Sequence, residues 1–173
     1  MISKIKSGGE STKTLVVFFS RSGNTELMAR KIAEIKKARL QPIQSNNGKI
    51  GVKGWIEALL DARSIETEIT PAKMDLSGYD TVYIGSPIWL YSPAPAIFEF
   101  AKNNDFKGKK VILFNSMNSK FEQKYIDQFK NIIQQQGGIF LEHLYIIRGR
   151  MTQQMQVKQF LDSTEKLISP TSR

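Results

Sequence analysis

The chain of 173 residues contains no cysteine and only one histidine. The lack of cysteine excludes disulfides, thiol nucleophiles and thiolate ligands for zinc or iron–sulfur clusters. Any redox chemistry must therefore depend on a bound cofactor. Long apolar runs are also lacking, because the longest, such as 15–19, are about one strand in length. A bilayer span needs roughly 20 apolar residues, so no membrane span is expected.

Length and composition are those of one ordinary globular domain. Hydrophobic residues make up 40% of the chain and charged residues 24%, so most of it should fold around a core. We expect a domain over residues 13–169, preceded by a flexible segment at 1–12 and followed by a tail at 170–173. Residues 1–9 lack the apolar core of a signal peptide, which predicts a cytoplasmic protein.

The chain is basic, with 25 Lys and Arg against 16 Asp and Glu and a formal net charge of +9. Such a surface attracts nucleic acid, anionic lipid or an acidic protein without selecting among them. The basic residues are scattered, which favours a solubilising surface over a dedicated polyanion site. No aromatic-rich RNA-binding strand or zinc finger accompanies them, so no specific nucleic-acid partner is expected.

Apolar strands and amphipathic helices alternate five times along the chain. The first strand is nearly all apolar, as expected where a parallel sheet buries both faces. The second contains a proline, which suggests the edge of the sheet. Right-handed crossovers then favour an α/β fold, with a doubly wound, mostly parallel sheet between two helical layers. The five strands are predicted at 13–19, 39–43, 79–86, 110–115 and 139–147.

Helices are predicted after each strand from the spacing of apolar residues. One follows the turn after the first strand, and a short one at 52–62 forms an excursion between strands two and three. The others are predicted at about 95–102, at 125–133 and at 157–168. Prolines at 93 and 95 suit a helix start, and the glycines at 137 and 138 suit a helix end.

The turn after the first strand consists mainly of small polar residues. Backbone N–H groups and the positive end of a helix dipole converge there, as phosphate binding requires. Hydroxyl and amide side chains could add donors, and glycine permits tight backbone geometry. Ordinary helix capping explains the same residue types, so this turn alone leaves both interpretations open. Its residues are Ser20, Arg21, Ser22, Gly23, Asn24 and Thr25.

The third predicted strand ends before a proline, and the loop that follows carries two large aromatic side chains. They are costly to expose, so they should cover something flat, such as a planar heteroaromatic ring, or pack on a neighbouring loop or subunit. The candidate residues are Ser86, Pro87, Ile88, Trp89, Leu90 and Tyr91.

A polar loop after the fourth strand could hydrogen-bond the edge of such a ring. The plainer interpretation is a turn with a helix N-cap at Asn118 or Ser119. Its residues are Asn115, Ser116, Met117, Asn118 and Ser119.

Taken together, these stretches resemble the flavodoxin family. The family's phosphate turn follows the pattern [ST]-x-[ST]-G-[NT]-T, which residues 20–25 match throughout. The segment 75–89 resembles the family's third strand and flavin loop, and the excursion at 55–70 resembles a microbial branch of the family. The resemblance covers residues 13–168.

The resemblance implies strand order 2-1-3-4-5 and non-covalent binding of FMN. Residues 20–25 would hold the phosphate, residues 86–91 would line the isoalloxazine with Trp89 as the main stacking residue, and residues 115–119 would close the other edge. The flavin does the redox chemistry, so no catalytic residue and no metal are assigned. His143, in the fifth predicted strand, is interpreted as structural.

The resemblance implies a function in transferring electrons between redox partners. The partner would be another protein or a small acceptor such as a quinone, and a homodimer is possible. One alternative on the same fold is an FMN-dependent NAD(P)H:quinone-type reductase, including protoporphyrinogen-oxidising relatives. Another is a binding module without flavin. A response-regulator receiver is excluded because the acidic residues it needs after strands one and three are missing here.

Two departures from the family pattern bear on this function. The 115–119 loop lacks the glycines or aromatic residue that the family often has there. Many electron-transfer flavodoxins are acidic, whereas this chain is basic. Positive charge favours the reduced, anionic flavin, so we expect a less reducing couple than in acidic relatives, within the limits of salt screening.

Overall fold

The computed structural model describes residues 13–45, 68–147 and 153–169. The helix predicted at 52–62 lies outside these ranges. So do the two predicted terminal segments, at 1–12 and 170–173. Eight strands are described. They are β1 (Thr14–Phe18), β2 (Arg39–Pro42), β3 (Gln44–Ser45), β4 (Ile69–Thr70), β5 (Thr81–Trp89), β6 (Ser92–Pro93), β7 (Lys110–Met117) and β8 (Ile139–Ile147).

The central sheet has the order β2-β1-β5-β7-β8, and all four pairings along it are parallel. This confirms the expected order of the five main strands. The strand that contains Pro42 is the last one on its side of this order, as its proline indicated. The short strands β3 and β4 form a separate antiparallel pair.

Four helices are described: α1 (Asn24–Lys36), α2 (Pro95–Asn103), α3 (Gln123–Gln135) and α4 (Gln153–Ile168), which follows the last strand. Proline occupies the first turn of α2, where its missing N–H costs nothing. After α3, Gly137 adopts φ +79°, and the N–H of Gly138 bonds to the carbonyl of Ile133. Glycine therefore ends this helix as predicted. None of the described helices is long and apolar enough to cross a membrane.

Alternate residues of the central strands point into two separate apolar layers. On one face, Leu15, Ile84 and Leu113 belong to a core completed by side chains of α2 and α3, among them Phe100 and Phe129. On the other face, Val16, Tyr83, Ile112 and Phe114 pack with side chains of α1 and α4, such as Ile32 and Phe160. The sheet thus lies between two helical layers, which confirms the doubly wound architecture.

The third main strand is longer than predicted. Instead of ending at Ser86, β5 continues to Trp89 and turns back, so that Ile88 pairs with Pro93 in β6. Leu90 and Tyr91 make the reversal with φ of 45° and 70°. We call residues 86–93 the hairpin. The prediction that the strand ends before Pro87 was wrong, because the chain stays extended to Trp89 and two residues with positive φ then reverse it.

The fourth main strand is also longer than predicted. Asn115, Ser116 and Met117 belong to β7 and are buried, so the polar loop comprises only Asn118 and Ser119 of the five predicted residues. The alternative interpretation, an N-cap at Asn118 or Ser119, does not hold either, since Glu122 is the N-cap of α3. Polar side chains continue the strand because neighbouring side chains satisfy their hydrogen bonds.

Candidate functional site

Three segments singled out in the sequence meet at the carboxyl edge of the sheet. β1, β5 and β7 are parallel neighbours, with Phe18 beside Gly85 and Pro87 beside Ser116. The N–H of Phe19 donates to the carbonyl of Gly85 at 2.9 Å, just before the 20–25 turn. Ligands of doubly wound sheets bind outside this edge, where the strand order reverses. Here the reversal lies between β1 and β5.

The 20–25 turn leads into α1 without a side-chain cap. Gly23 occupies the N-cap position with φ +85°, and its carbonyl accepts the first helical hydrogen bond from Leu27 N–H at 2.9 Å. A Cβ at this position would meet no atom within 4 Å, so it is the positive φ that favours glycine. Ordinary capping therefore does not explain the polar residues of the turn. The first-turn amides lie at the positive end of the helix dipole.

The hydroxyl of Ser20 is the exception to hydrogen-bond satisfaction at this site. Its Oγ is buried and has no hydrogen-bond partner among the described residues. Leaving a buried polar group unsatisfied costs about 1–3 kcal/mol, so native structures rarely tolerate one without reason. An acceptor oxygen from a bound anion would satisfy it. This is the fit that a phosphate group at the start of α1 requires.

The other polar side chains of the turn already have partners. Asn24 Nδ2 donates to Ser22 Oγ at 2.9 Å on the exposed side. Thr25 is buried, and its Oγ1 lies 2.9 Å from Ser116 Oγ in β7. The turn is thereby attached to the sheet, while the buried Ser20 hydroxyl has no partner in the part of the chain that the structure describes.

Trp89 lies on the side of the hairpin nearest the turn. Its ring packs edge-to-face with Phe19 at a centroid distance of 5.6 Å. The guanidinium carbon of Arg21 lies 6.0 Å from the centroid of the same ring. The structure therefore brings together the 20–25 turn and the aromatic residue singled out for ring stacking. The contact with Phe19 also agrees with the alternative interpretation, in which this aromatic side chain packs on a neighbouring loop.

The tip of the hairpin is exposed. Leu90 and Tyr91 each keep 41% of their surface accessible. Lys120 Nζ lies 5.1 Å from the centroid of the Tyr91 ring, and the N–H of Glu122 donates to the Tyr91 carbonyl at 2.9 Å. Tyr91 thus lies beside the segment that follows β7, and Asn118 and Ser119 are exposed in that segment.

Beneath the hairpin, buried polar groups of β5 and β7 bond to one another. Asn115 Nδ2 donates to the carbonyl of Ser86 at 2.7 Å and to its Oγ at 3.2 Å. Ser86 Oγ in turn accepts from the N–H of Ala94 at 3.1 Å, across the base of the hairpin. The amide of Asn115 therefore does not face outward to the ring edge, and its orientation is set inside the protein.

His143 completes this group of hydrogen bonds from β8. Its Nε2 lies 2.8 Å from Asn115 Oδ1, and its ring packs at 4.8 Å from Phe121 and 5.3 Å from Tyr145 between centroids. Burial lowers the pKa of His143 from 6.5 to about 4, so the ring is neutral at pH 7. A neutral, hydrogen-bonded ring fits the structural role predicted for it.

Sequence reasoning missed the contact between His143 and Asn115. The β-bulge between Val111 and Ile112 shifts the register of β8 and decides on which face of the sheet each of its side chains lies. Only the pairing of the strands could have located this contact. Among the residues described, no three acidic or histidine side chains gather as a metal site would require.

Residues 13–164 match the family model described as Flavodoxin. Over 138 residues the chain is 27% identical to Flavodoxin 1 of Salmonella typhimurium, a match covering 75% of this chain and 66% of that protein. A solved structure from Bacteroides uniformis has a TM-score of 0.67 and 25% identity, covering 87% of this chain and 98% of its own. The flavoprotein of Lactobacillus acidophilus in complex with FMN has a TM-score of 0.63 and 24% identity, covering 78% and 93% respectively.

Proposed function

Since the chain belongs to the flavodoxin family, we propose that it binds FMN at the carboxyl edge of its sheet and transfers electrons between redox partners. Bound FMN would supply the redox chemistry. The protein would supply an anchor for the phosphate, a stacking surface for the ring and the electrostatic environment of both.

The unsatisfied Ser20 hydroxyl is the observation that carries this proposal. It lies in the turn that precedes an uncapped helix N-terminus, and a phosphate oxygen would accept its hydrogen bond. Backbone N–H groups of residues 21–25 would add further donors. Thr25 would act indirectly, since its hydroxyl is already engaged with Ser116.

The hairpin would cover the flavin ring. Trp89 is the stacking residue we propose, because it lies against the turn, with Arg21 over its ring. Tyr91 and Leu90 would contribute at the exposed tip, and Asn118 and Ser119 at the far edge. The remaining predicted residues of these segments would shape the site from below, since Ser86 and Asn115 bond to each other and Ser116 bonds to Thr25.

The phosphate role is tested by comparing Ser20→Ala with Ser163→Ala, which removes an exposed hydroxyl from α4. FMN affinity would be measured by quenching of flavin fluorescence on titration. We expect Ser20→Ala to weaken binding about 10- to 100-fold, as for loss of one hydrogen bond to a charged group. Ser163→Ala should bind like the wild type.

The same variant should leave the flavin-free protein at least as stable as the wild type. Alanine removes a buried group that has no partner in the described ranges, so unfolding by urea should show no loss of stability. A purely structural role for the hydroxyl would give the reverse pattern, with lower stability and unchanged affinity. A wild-type protein that stayed colourless after FMN addition, with no quenching, would overturn the proposal in favour of a module without flavin.

Electron transfer without substrate turnover is the simpler activity for this site. His143, the one histidine of the chain, is neutral and engaged with Asn115, so it is not placed to exchange protons with a substrate. Steady-state oxidation of NADH or NADPH with a quinone would test this. Rapid turnover would show a reductase instead of a carrier, while FMN binding would be unaffected.

A further inference from the structure

We propose that His143 is a positioning residue that holds the hairpin in place through Asn115 and Ser86, an inference that rests on the proposed binding of FMN. None of these three side chains needs to touch the ring. Their effect would be to keep Trp89 and Tyr91, on the hairpin, at one position over the site.

The connection crosses three neighbouring strands. It runs from His143 Nε2 in β8 to Asn115 Oδ1 in β7 at 2.8 Å, and from Asn115 Nδ2 to the Ser86 carbonyl in β5 at 2.7 Å. Ser86 and Ala94 lie on opposite sides of the hairpin base, and the N–H of Ala94 donates to Ser86 Oγ at 3.1 Å. The edge strand of this path is therefore linked to the base of the hairpin by consecutive hydrogen bonds.

Each hydrogen bond fixes the direction of the next one. The Ser86 carbonyl can only accept, so the amide nitrogen of Asn115 must face it. Asn115 Oδ1 then faces His143 and needs a donor, which only a protonated Nε2 can provide. The ring therefore carries its proton on Nε2, and this tautomer holds Asn115 in one of its two amide orientations. Buried networks of this kind strengthen one another when every member is satisfied.

His143 is itself held firmly. Its ring contacts Phe121 at 4.8 Å and Tyr145 at 5.3 Å between centroids, and the backbone lies in the ladder opposite Leu113. By contrast, the tip of the hairpin is exposed at Leu90 and Tyr91. Because the tip itself is exposed, the base of the hairpin determines where the tip lies. Displacing a binding group by about 1 Å can strongly weaken its interaction with a ligand.

The test compares three substitutions in the full chain: His143→Gln, His143→Asn and Tyr145→Leu. Glutamine can place its amide N–H near the position of Nε2, whereas asparagine is too short to reach Asn115. Tyr145→Leu disturbs the aromatic packing around His143 but leaves the hydrogen bonds. FMN affinity and the circular dichroism of the bound flavin in the visible range would be measured, together with stability.

We expect His143→Asn to weaken FMN binding about 3- to 10-fold, equivalent to the net value of one hydrogen bond, and to change the flavin dichroism. His143→Gln should stay within about 2-fold of the wild type, with the same dichroism, because the donor is restored. Tyr145→Leu should lower stability while leaving affinity and dichroism unchanged.

Two outcomes would overturn the inference. The first is that His143→Asn binds FMN with wild-type affinity and dichroism. The second is that Tyr145→Leu alters the flavin as much as His143→Asn does, since packing alone would then explain both. Absence of FMN binding by the wild type would instead refute the proposed function. The two failures are therefore distinguishable.

Discussion

Thr25 and Ser116 join the start of α1 to the end of β7 through hydroxyl oxygens 2.9 Å apart, with both side chains buried. One residue belongs to the turn expected to hold a phosphate, and the other to the segment expected to approach the ring. Two of the three predicted site segments are thus attached to each other directly. The contact holds the helix N-terminus against the sheet.

The substitutions Thr25→Val and Ser116→Ala should each destabilise the protein by about 1–3 kcal/mol, because each leaves the other hydroxyl buried without its partner. The double variant should cost clearly less than the sum, since neither polar group remains. Urea unfolding of all four proteins measures this coupling. As a control, Ser116→Ala combined with Thr164→Val should be additive, because Thr164 bonds to Phe160 within α4. Additivity in both pairs would contradict the prediction.

Gly85 should not tolerate a side chain. A Cβ there would lie 2.0 Å from Cζ of the buried Phe114 ring. Gly85→Ala should therefore lower the free energy of unfolding by about 1–3 kcal/mol or more, as overpacked cores do.

A second change at Phe114 provides the check on Gly85. Phe114→Leu costs stability by itself, but in the Gly85→Ala background it should cost less, because it removes the clash. Gly78→Ala is the matched control, since a Cβ at Gly78 meets nothing within 4 Å. Equal losses at positions 78 and 85 would show that the ring gives way easily.

His143 should make stability depend on pH. Its pKa is 6.5 when unfolded and about 4 in the folded protein, because burial disfavours the charged ring. Between these values the unfolded chain binds more protons, so stability is fully retained above about pH 6.5 and falls as pH drops towards 4. By pH 4 the loss amounts to about 3 kcal/mol.

His143→Gln removes the contribution of His143 to the pH dependence of stability. The carboxylates also titrate in this range, but they are the same in both proteins and cancel in the comparison. The difference in unfolding free energy between wild type and variant should therefore change across pH 4–6.5 and stay constant from pH 7 to 8. Because the chain has no other histidine, the difference isolates one group. Curves that run parallel from pH 4 to 8 would contradict the lowered pKa.

Arg21 should raise the reduction potential of bound FMN. Its guanidinium lies over the Trp89 ring beside the proposed site, and a nearby positive charge favours the negative charge added on reduction. Arg21→Gln should lower the midpoint by about 20–40 mV, as one partly screened charge would. Lys110→Gln is the control, because Lys110 begins β7 at the opposite edge of the sheet, about 20 Å away. Equal shifts in a potentiometric titration would show that only overall charge matters.

Strand and helix assignments came largely from periodicity, which reports burial. β1 and β8 were predicted within one or two residues, because their apolar patterns are long and end at polar or glycine residues. The errors fell at Pro87 and at Ser116, each directly after a predicted strand, where proline and polar side chains suggested loops. Both positions lie inside strands because the neighbouring chain satisfies their backbone and side-chain groups. Residue type alone does not reveal such a partner.

By itself the sequence determined the alternation of strands and helices, the parallel sheet and the small-residue turn at 20–25, because each depends on local patterns of size and polarity. Only the tertiary structure decided that Ser20 has no partner among the described residues, that Asn115 faces inward and that His143 reaches it across the sheet. Those relations join residues far apart in the chain, and strand register and burial set them. Local sequence patterns do not specify which distant residues become partners.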